Sequence, residues 1–485
     1  MQSKQNSLRI GILGGGITGL ASAFYLLRAG HQVTILEARP QLGGLATHFD
    51  FGSFHWDKFY HCILTSDAPL LELIDELGLT SELRWTETKV GFFTLGRLHS
   101  MTTSLDFLRF PALSLWEKFR LGVGILYAAR IQDGLALEQE PIAPWLVRIF
   151  GEGVYKKMWE PLLKCKLGEA RKQTSASFIW ATIRRLYSTR EKGASKKECL
   201  GYVRGGYRTV FFRLVEKIQE MGGHIMTSVP VEEMRSTRNR GVSVSCGPLK
   251  MDFDCVISTV PSSALAKLTP ELSAEYRAKL DAIQYMGMVC AVMVLKRKLT
   301  LYYCTNITED LPFTGVIEMT NLISTEEADG RHLVYLPKYT SPGDPLFNAT
   351  DDEVWQKFHA ALKQVVPDLA DDDIEQCFIF RERLVQPIPV LNYSGIVPDM
   401  ESSVEHLLVA NTTQIVNSTL NNNEMVKIAR KAATMVEQIA EEEAGFWPRR
   451  AGNGQSLPTK INSGPYVLPA ATTTRSSSWH KSRKA

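Results

Sequence analysis

The sequence predicts an α/β fold in which a parallel-sheet domain is discontinuous along the chain and an α+β domain is inserted into it. Three observations predict this. A short apolar strand, a glycine-rich turn, a helix and a second apolar strand follow one another within residues 8–37. A helix followed by apolar strands returns at 201–260, and a last apolar strand and a long helix close the pattern at 406–444. The segments between them mix helical and strand periodicity, as an inserted domain would.

Each element has a local reason. Residues 8–14 (LRIGILG) are a continuous apolar run of buried-strand length. Residues 17–29 (ITGLASAFYLLRA) have helical periodicity, with small residues on one side, and Gly30 ends them. Residues 32–37 (QVTILE) are the second strand. Residues 38–66 read as irregular, residues 67–200 as mainly helical, and 192–199 (KGASKKEC) as an exposed linker. VCAVMVLKRKL and RHLVYLPKY alternate like strands. DDEVWQKFHAALKQVV reads as a helix whose acids sit at its start, where the helix dipole favours them. HLLVAN (406–411) is a final strand and 423–444 a helix. The expected division is a cofactor domain from 1–70, 200–265 and 395–445, and a substrate domain from 71–199 and 266–394.

Composition narrows the function. The 485 residues are 44% hydrophobic and 22% charged, ordinary for a globular enzyme. The net charge of +3 gives no case for a nucleic-acid partner. Residues 446–485 hold seven Lys/Arg and no acid, which leaves the body mildly acidic and marks the end as a disordered basic tail. The eight cysteines include no C-x-x-C pair, so they read as reduced thiols of a cytoplasmic protein, with no zinc site. The N-terminus lacks the apolar segment of a secretory signal, and no run of about 18 apolar residues predicts a membrane span. Phe119–Ala129 (FRLGVGILYAA) is the nearest approach to a membrane-touching surface, although its pattern favours a core helix.

Chemistry is carried first by Gly14-Gly15-Gly16-Ile17-Thr18-Gly19. A pyrophosphate needs backbone N–H groups aimed at it and no Cβ in the way. Gly14 permits the tight turn, Gly16 lets the backbone approach, and Gly19 lets the helix pack close to the strand. Glu37 closes the second strand, 18 residues after Gly19. Its carboxylate can accept from ribose hydroxyls and would repel a 2′-phosphate, which disfavours NADP.

Glu37-Ala38-Arg39-Pro40-Gln41-Leu42-Gly43-Gly44, followed by Leu45, is the second constellation. It resembles the flavin-containing amine oxidase superfamily, which includes protoporphyrinogen oxidases, carotenoid desaturases and, as cousins, UDP-galactopyranose mutases. The second glycine pair leaves an uncrowded backbone beside a flavin's phosphate and ribityl region, which moves the reading from NAD to FAD on a Rossmann-like domain. The resemblance implies that Val231 contacts adenine through its backbone. It also places Asn411 and the segment Asn421-Asn422-Asn423-Glu424-Met425 beside the isoalloxazine, where this chain carries asparagines instead of the usual Gly and Ala.

The implied activity is FAD-dependent oxidation of a small organic substrate, with hydride leaving a C–N or C–C bond for flavin N5. His61, in Asp57-Lys58-Phe59-Tyr60-His61, is the candidate catalytic residue, with a structural histidine as the equal alternative. Trp159-Glu160-Pro161 reads as core packing and Arg331 as a salt-bridge partner. A redox-neutral isomerase of the mutase kind would instead use Arg184, Arg185, Tyr187 and Tyr335 on a diphosphate. A non-catalytic flavoprotein is the third reading.

Overall fold

The computed structural model describes residues 7–191 and 199–443. The basic tail and nearly all of the 192–199 segment lie outside them. The N-terminal unit is as the pattern predicts: strand β1 (Arg9–Leu13), helix α1 (Ile17–Arg28) and strand β2 (Gln32–Leu36). A five-stranded, wholly parallel sheet grows around it. Its order is His224–Met226, β2, β1, Cys255–Ser258, Leu407–Val409.

The strands of this sheet come from three distant parts of the chain. Both faces must therefore be covered, and the central strands are apolar on both sides. One face carries α1, the helix Tyr207–Glu220 and the C-terminal helix Asn422–Glu442 around a core of Leu20, Leu26, Val210, Leu214, Val426 and Ala429. The other carries a three-stranded antiparallel meander, Glu233–Ser236, Val242–Cys246 and Leu249–Phe253.

A seven-stranded sheet forms the second layer system. Its order is Ile374–Pro387, Tyr285–Leu295, His332–Thr340, Gly315–Glu318, Cys304–Ile307, Val90–Thr94, Arg97–Ser100. The strand Tyr285–Leu295 is buried along its whole length and shows why the sheet has two cores. Met288, Cys290, Val292 and Val294 face one core, whereas Val289, Ala291, Met293 and Leu295 face the other, under the helix Asp351–Val365. A third core, of Trp145, Phe150, Trp159 and Trp180, holds together the helices between residues 104 and 191.

Three readings of the sequence need correction. Residues 67–200 are not simply helical: Leu83–Glu87, Val90–Thr94 and Arg97–Ser100 are strands. Leu83–Glu87 pairs with Cys199–Val203, and Val90–Thr94 runs parallel to Cys304–Ile307. Residues 38–66 contain short strands at His48–Asp50, His55–Asp57 and Ile63–Leu64. The Phe119–Ala129 segment lies in the helix Leu115–Arg130, but only its inner face is core. Phe119, Val123, Leu126 and Tyr127 point outward and are exposed. Among the described residues no helix is long and apolar enough to cross a membrane.

Candidate FAD site and substrate cavity

The glycine turn leaves β1 at the C-terminal edge of the parallel sheet, where open α/β sheets bind their ligands. Gly14 has φ +105°, and its N–H donates to Leu36 O at 2.9 Å. Gly19 sits against this turn so closely that a Cβ there would lie 2.0 Å from Gly14 O. A Cβ on Gly16 would meet nothing nearer than Gly44 Cα at 3.8 Å, so the turn is open on the side a phosphate would take.

α1 begins with no capping side chain and no acid in its first turn. Its first helical bond is Leu20 N–H to Gly16 O. The N–H groups of Ile17, Thr18 and Gly19 therefore have no acceptor among the described residues, at the positive end of the helix dipole.

Glu37 is held ready beside this turn. Oε2 accepts from Gly15 N–H at 2.7 Å, and Oε1 from Arg39 N–H at 2.8 Å. Ala38 is exposed, and Arg39 reaches Glu382 at 3.1 Å, which ties the loop to the second sheet. The second glycine pair docks directly on the first. Gly43 N–H donates to Gly15 O at 2.8 Å, and Gly16 and Gly43 form a parallel bridge. Gly43 (φ +114°) then turns the chain into the short 3-10 turn Gly44–Ala46, which includes Leu45. Val231 follows the strand His224–Met226, and its backbone N–H and C=O have no hydrogen bond to another described residue. Ser228 and Val229 instead donate to Arg39 O and Glu37 O. Val231 is thereby placed with its peptide groups free beside the Glu37 loop.

The side chains of the C-terminal candidates are engaged within the protein. The Asn411 side chain is buried and wholly engaged: Nδ2 donates to Val260 O at 2.7 Å, and Oδ1 accepts from Thr413 N–H at 2.9 Å. It fixes the loop after the last strand instead of reaching outward. Met425 is packed in the core on α1, and its N–H makes the first bond of its helix, to Asn421 O. The unsatisfied amides at that helix start are those of Asn422 and Asn423, since Glu424 N–H is capped by Asn421 Oδ1 at 3.0 Å. Nearby in the chain, Asn417 Oδ1 is buried with no partner among the described residues. Amides at two helix starts without a partner among the described residues, the fixed carboxylate of Glu37 and a buried oxygen without a described partner fit a dinucleotide of FAD's polarity.

His61 lies at the end of the short-strand segment, with Nδ1 3.6 Å from Asp57 Oδ2. That is an ion-pair distance, too long for a hydrogen bond. Asp57 is buried, which pushes its carboxyl above the usual range, against the pull of His61 and the Tyr207 N–H it accepts at 2.9 Å. Next to it stands a wall of phenols and thiols. Tyr335 donates to Asp57 O at 2.6 Å, and the Tyr60 and Tyr339 hydroxyls are 3.0 Å apart. Burial holds the phenols of Tyr60, Tyr303 and Tyr335 well above their ordinary value.

Lys166 is the residue that the sequence reading missed. It sits on the helix Glu160–Leu167, which packs on the strands carrying Cys304 and Tyr339. Its side chain keeps accessible surface, while its ammonium is surrounded by other side chains of the protein. It has no hydrogen bond or ion pair with a described residue and lies 5.5 Å from the Phe178 ring centroid. Burial lowers its pKa, Cys304 opposes this, and Arg185 adds to it. Nothing in the local pattern EPLLKCKL distinguishes this lysine from Lys164, which pairs with Asp310 at the surface.

The remaining candidates resolve simply. Trp159 is buried in the helical core, and Arg331 pairs with Glu375 at 2.5 Å and Asp329 at 2.7 Å.

The family model of flavin containing amine oxidoreductases matches residues 17–382. The chain belongs to this family. Among its relatives, 15-cis-phytoene desaturase of Glycine max is 22% identical over 78% of this chain and 70% of its own length. The 15-cis-phytoene desaturase of Synechococcus elongatus is 21% identical over 74% and 80%. In fold, the crystal structure of a putative protoporphyrinogen oxidase from Exiguobacterium sp. superposes with a TM-score of 0.72 at 18% identity, covering 90% of this chain and all of that one. As a member of the flavin amine oxidoreductases the chain binds FAD and is an FAD-dependent oxidoreductase, and the glycine turns, Glu37 and the free α1 amides are the parts of the site that fit the cofactor.

Proposed function

We propose that this flavoprotein oxidises a C–C bond of a predominantly apolar organic substrate, with hydride accepted at flavin N5. FAD, when bound, supplies the two-electron chemistry. The α1 amides and the two glycine turns would hold the pyrophosphate, Glu37 the ribose and the Val231 backbone the adenine. The amides of Asn422 and Asn423 would stabilise negative charge on the ring. Tyr60, Tyr303, Tyr339 and Cys304 form an apolar wall that excludes water, and His61, steadied by Asp57, orients the substrate or takes up its proton.

The observation that carries the choice is the similarity to 15-cis-phytoene desaturases over about three quarters of the chain. Lys166 supports it: in its charged form, which burial disfavours, it would repel a protonated amine nearby. The redox-neutral isomerase has less support. Arg185 is tied to Asp67 at 3.1 Å, Arg184 donates to Gln132 O at 2.7 Å, and Tyr335 is closed onto Asp57. The cysteines form no disulfide among the described residues, which fits a reducing compartment, the cytoplasm.

The test is anaerobic mixing of the purified holoprotein with amines, polyenes and nucleotide sugars in turn, following flavin bleaching. Bleaching by polyenes alone is expected. Bleaching by amines alone would refute the proposal, and so would bleaching by none of the three when dithionite still reduces the flavin.

A further inference from the structure

The helix Leu115–Arg130 is apolar on both sides. Its inner residues Leu121, Gly124 and Ala128 pack on Phe150 and its neighbours. Its outer residues are Leu115 (75% exposed), Trp116 (68%), Phe119 (61%), Val123, Leu126 and Tyr127. At 3.6 residues per turn these six fall within roughly 120° of the helix circumference, a continuous outward stripe. The short helix Ser104–Arg109 lies alongside, with Leu105 and Leu108 also exposed, and Lys118 clamps the two by donating to Leu108 O at 2.6 Å. Trp116 and Phe119 stack on each other in the open at 5.5 Å. The three aromatics alone expose on the order of 350 Å², by areas of roughly 150–250 Å² each. That already equals the largest patch of a typical monomer, about 300–600 Å².

Charge selects the partner. From Ser104 to Arg130 there are four bases and two acids. Glu117 is paired with a lysine and Asp106 is engaged within its own turn. Asp106 accepts from Ser100 and Thr103, and Glu117 from Ser114 and Lys157. Arg109 and Arg130, at the C-terminal ends of the two helices, are exposed and have no carboxylate partner among the described residues. A convex apolar ridge with exposed aromatics and uncompensated cations at its ends matches the boundary between lipid headgroups and acyl chains.

We propose that the outer face of the helices Ser104–Arg109 and Leu115–Arg130 docks on an anionic lipid surface, with Trp116, Phe119 and Leu115 inserted and Arg109 and Arg130 among the headgroups. The surface is independent of the substrate reading.

The test is vesicle flotation of the full-length holoprotein, on phosphatidylcholine alone and on phosphatidylcholine with phosphatidylglycerol. Wild type should float with the mixed vesicles. L115Q/W116Q/F119Q should bind about tenfold or more weakly with unchanged flavin content. R109Q/R130Q should lose only the preference for anionic vesicles, and it carries the test if the triple variant loses flavin. The seven bases of the tail are the same in every variant, so undiminished flotation of the triple variant would assign binding to the tail and overturn the proposal. It is equally overturned if wild type does not float but is a dimer that the triple substitution dissociates.

Discussion

Gly19→Ala is the most direct probe of the cofactor site. The added Cβ would lie 2.0 Å from Gly14 O, 3.2 Å from Gly14 C and 3.3 Å from Ile12 Cγ2. A normal C···O approach is about 3.3 Å, so the helix start must withdraw by roughly 1.3 Å, and no flexible side chain can yield instead. Overpacking of this kind costs about 1–3 kcal/mol, against about 1 kcal/mol gained from replacing glycine in a helix. The apoprotein therefore loses only about 0–2 kcal/mol.

The cofactor loses more. A retreat of about 1 Å stretches the bonds from the Ile17, Thr18 and Gly19 amides to the pyrophosphate beyond range. Two charge-assisted bonds at about 1.5–3 kcal/mol each put the loss near 3–6 kcal/mol, or roughly 10²–10⁴ in FAD affinity. FAD titration of apoprotein by flavin fluorescence measures the second quantity, and thermal unfolding without FAD the first. An FAD affinity within about threefold of wild type would refute the idea that the close approach of α1 to the turn shapes the site. Gly122→Ala, inside the helix Leu115–Arg130, where a Cβ meets nothing within 4 Å and the backbone is helical, is the matched control.

Three further outcomes are expected. Glu37→Gln keeps the shape but removes the charge holding Gly15 and Arg39, so FAD affinity by titration should fall about 10–100-fold, with the fold intact by circular dichroism. Lys166→Met removes a cation from the Phe178 and Cys304 side of the protein while keeping its bulk, so it should leave FAD content unchanged and relax discrimination against amines in anaerobic bleaching; unchanged discrimination would remove Lys166 from the substrate argument. His48, beside the second glycine pair, has its pKa lowered to about 4 by burial and then by the charges of Arg208 and His55. A histidine with a depressed native value binds fewer protons folded than unfolded. Its contribution is whole above pH ~6.5 and is lost as pH falls from there towards about 4. Allowing for its partial exposure, the loss at pH 5 is about 1 kcal/mol, which urea unfolding at pH 5 and 7.5 would detect and His48→Gln would abolish.

The cofactor half of the site could be read from sequence because its determinants are local. The strand, the turn Gly14–Gly19, the helix and Glu37 fall within one short stretch, and each residue's role follows from backbone geometry. The strands between 83 and 100 could not be read this way. Val90–Thr94 finds its parallel partner at Cys304–Ile307 and Leu83–Glu87 its partner at Cys199–Val203, so long-range pairing decides their conformation. Lys166 escaped for a related reason: its meaning comes from Phe178, Arg185 and Cys304 on other elements. For Asn411 and Met425 a motif gives position only, and packing shows that their side chains are already engaged within the protein.

The completion of the parallel sheet has a consequence for how the protein is made. After the cofactor turn Gly14–Gly19 is made, the edge strand Leu407–Val409 and the helix Asn422–Glu442 that covers α1 arrive about 400 residues later. At ~5–20 residues per second the ribosome needs roughly 20–80 s to supply them. Throughout that interval the apolar side of α1 lacks part of its cover. Nascent chains should therefore acquire FAD only after the helix Asn422–Glu442 has emerged, and chains truncated before Leu407 should yield colourless, chaperone-bound product.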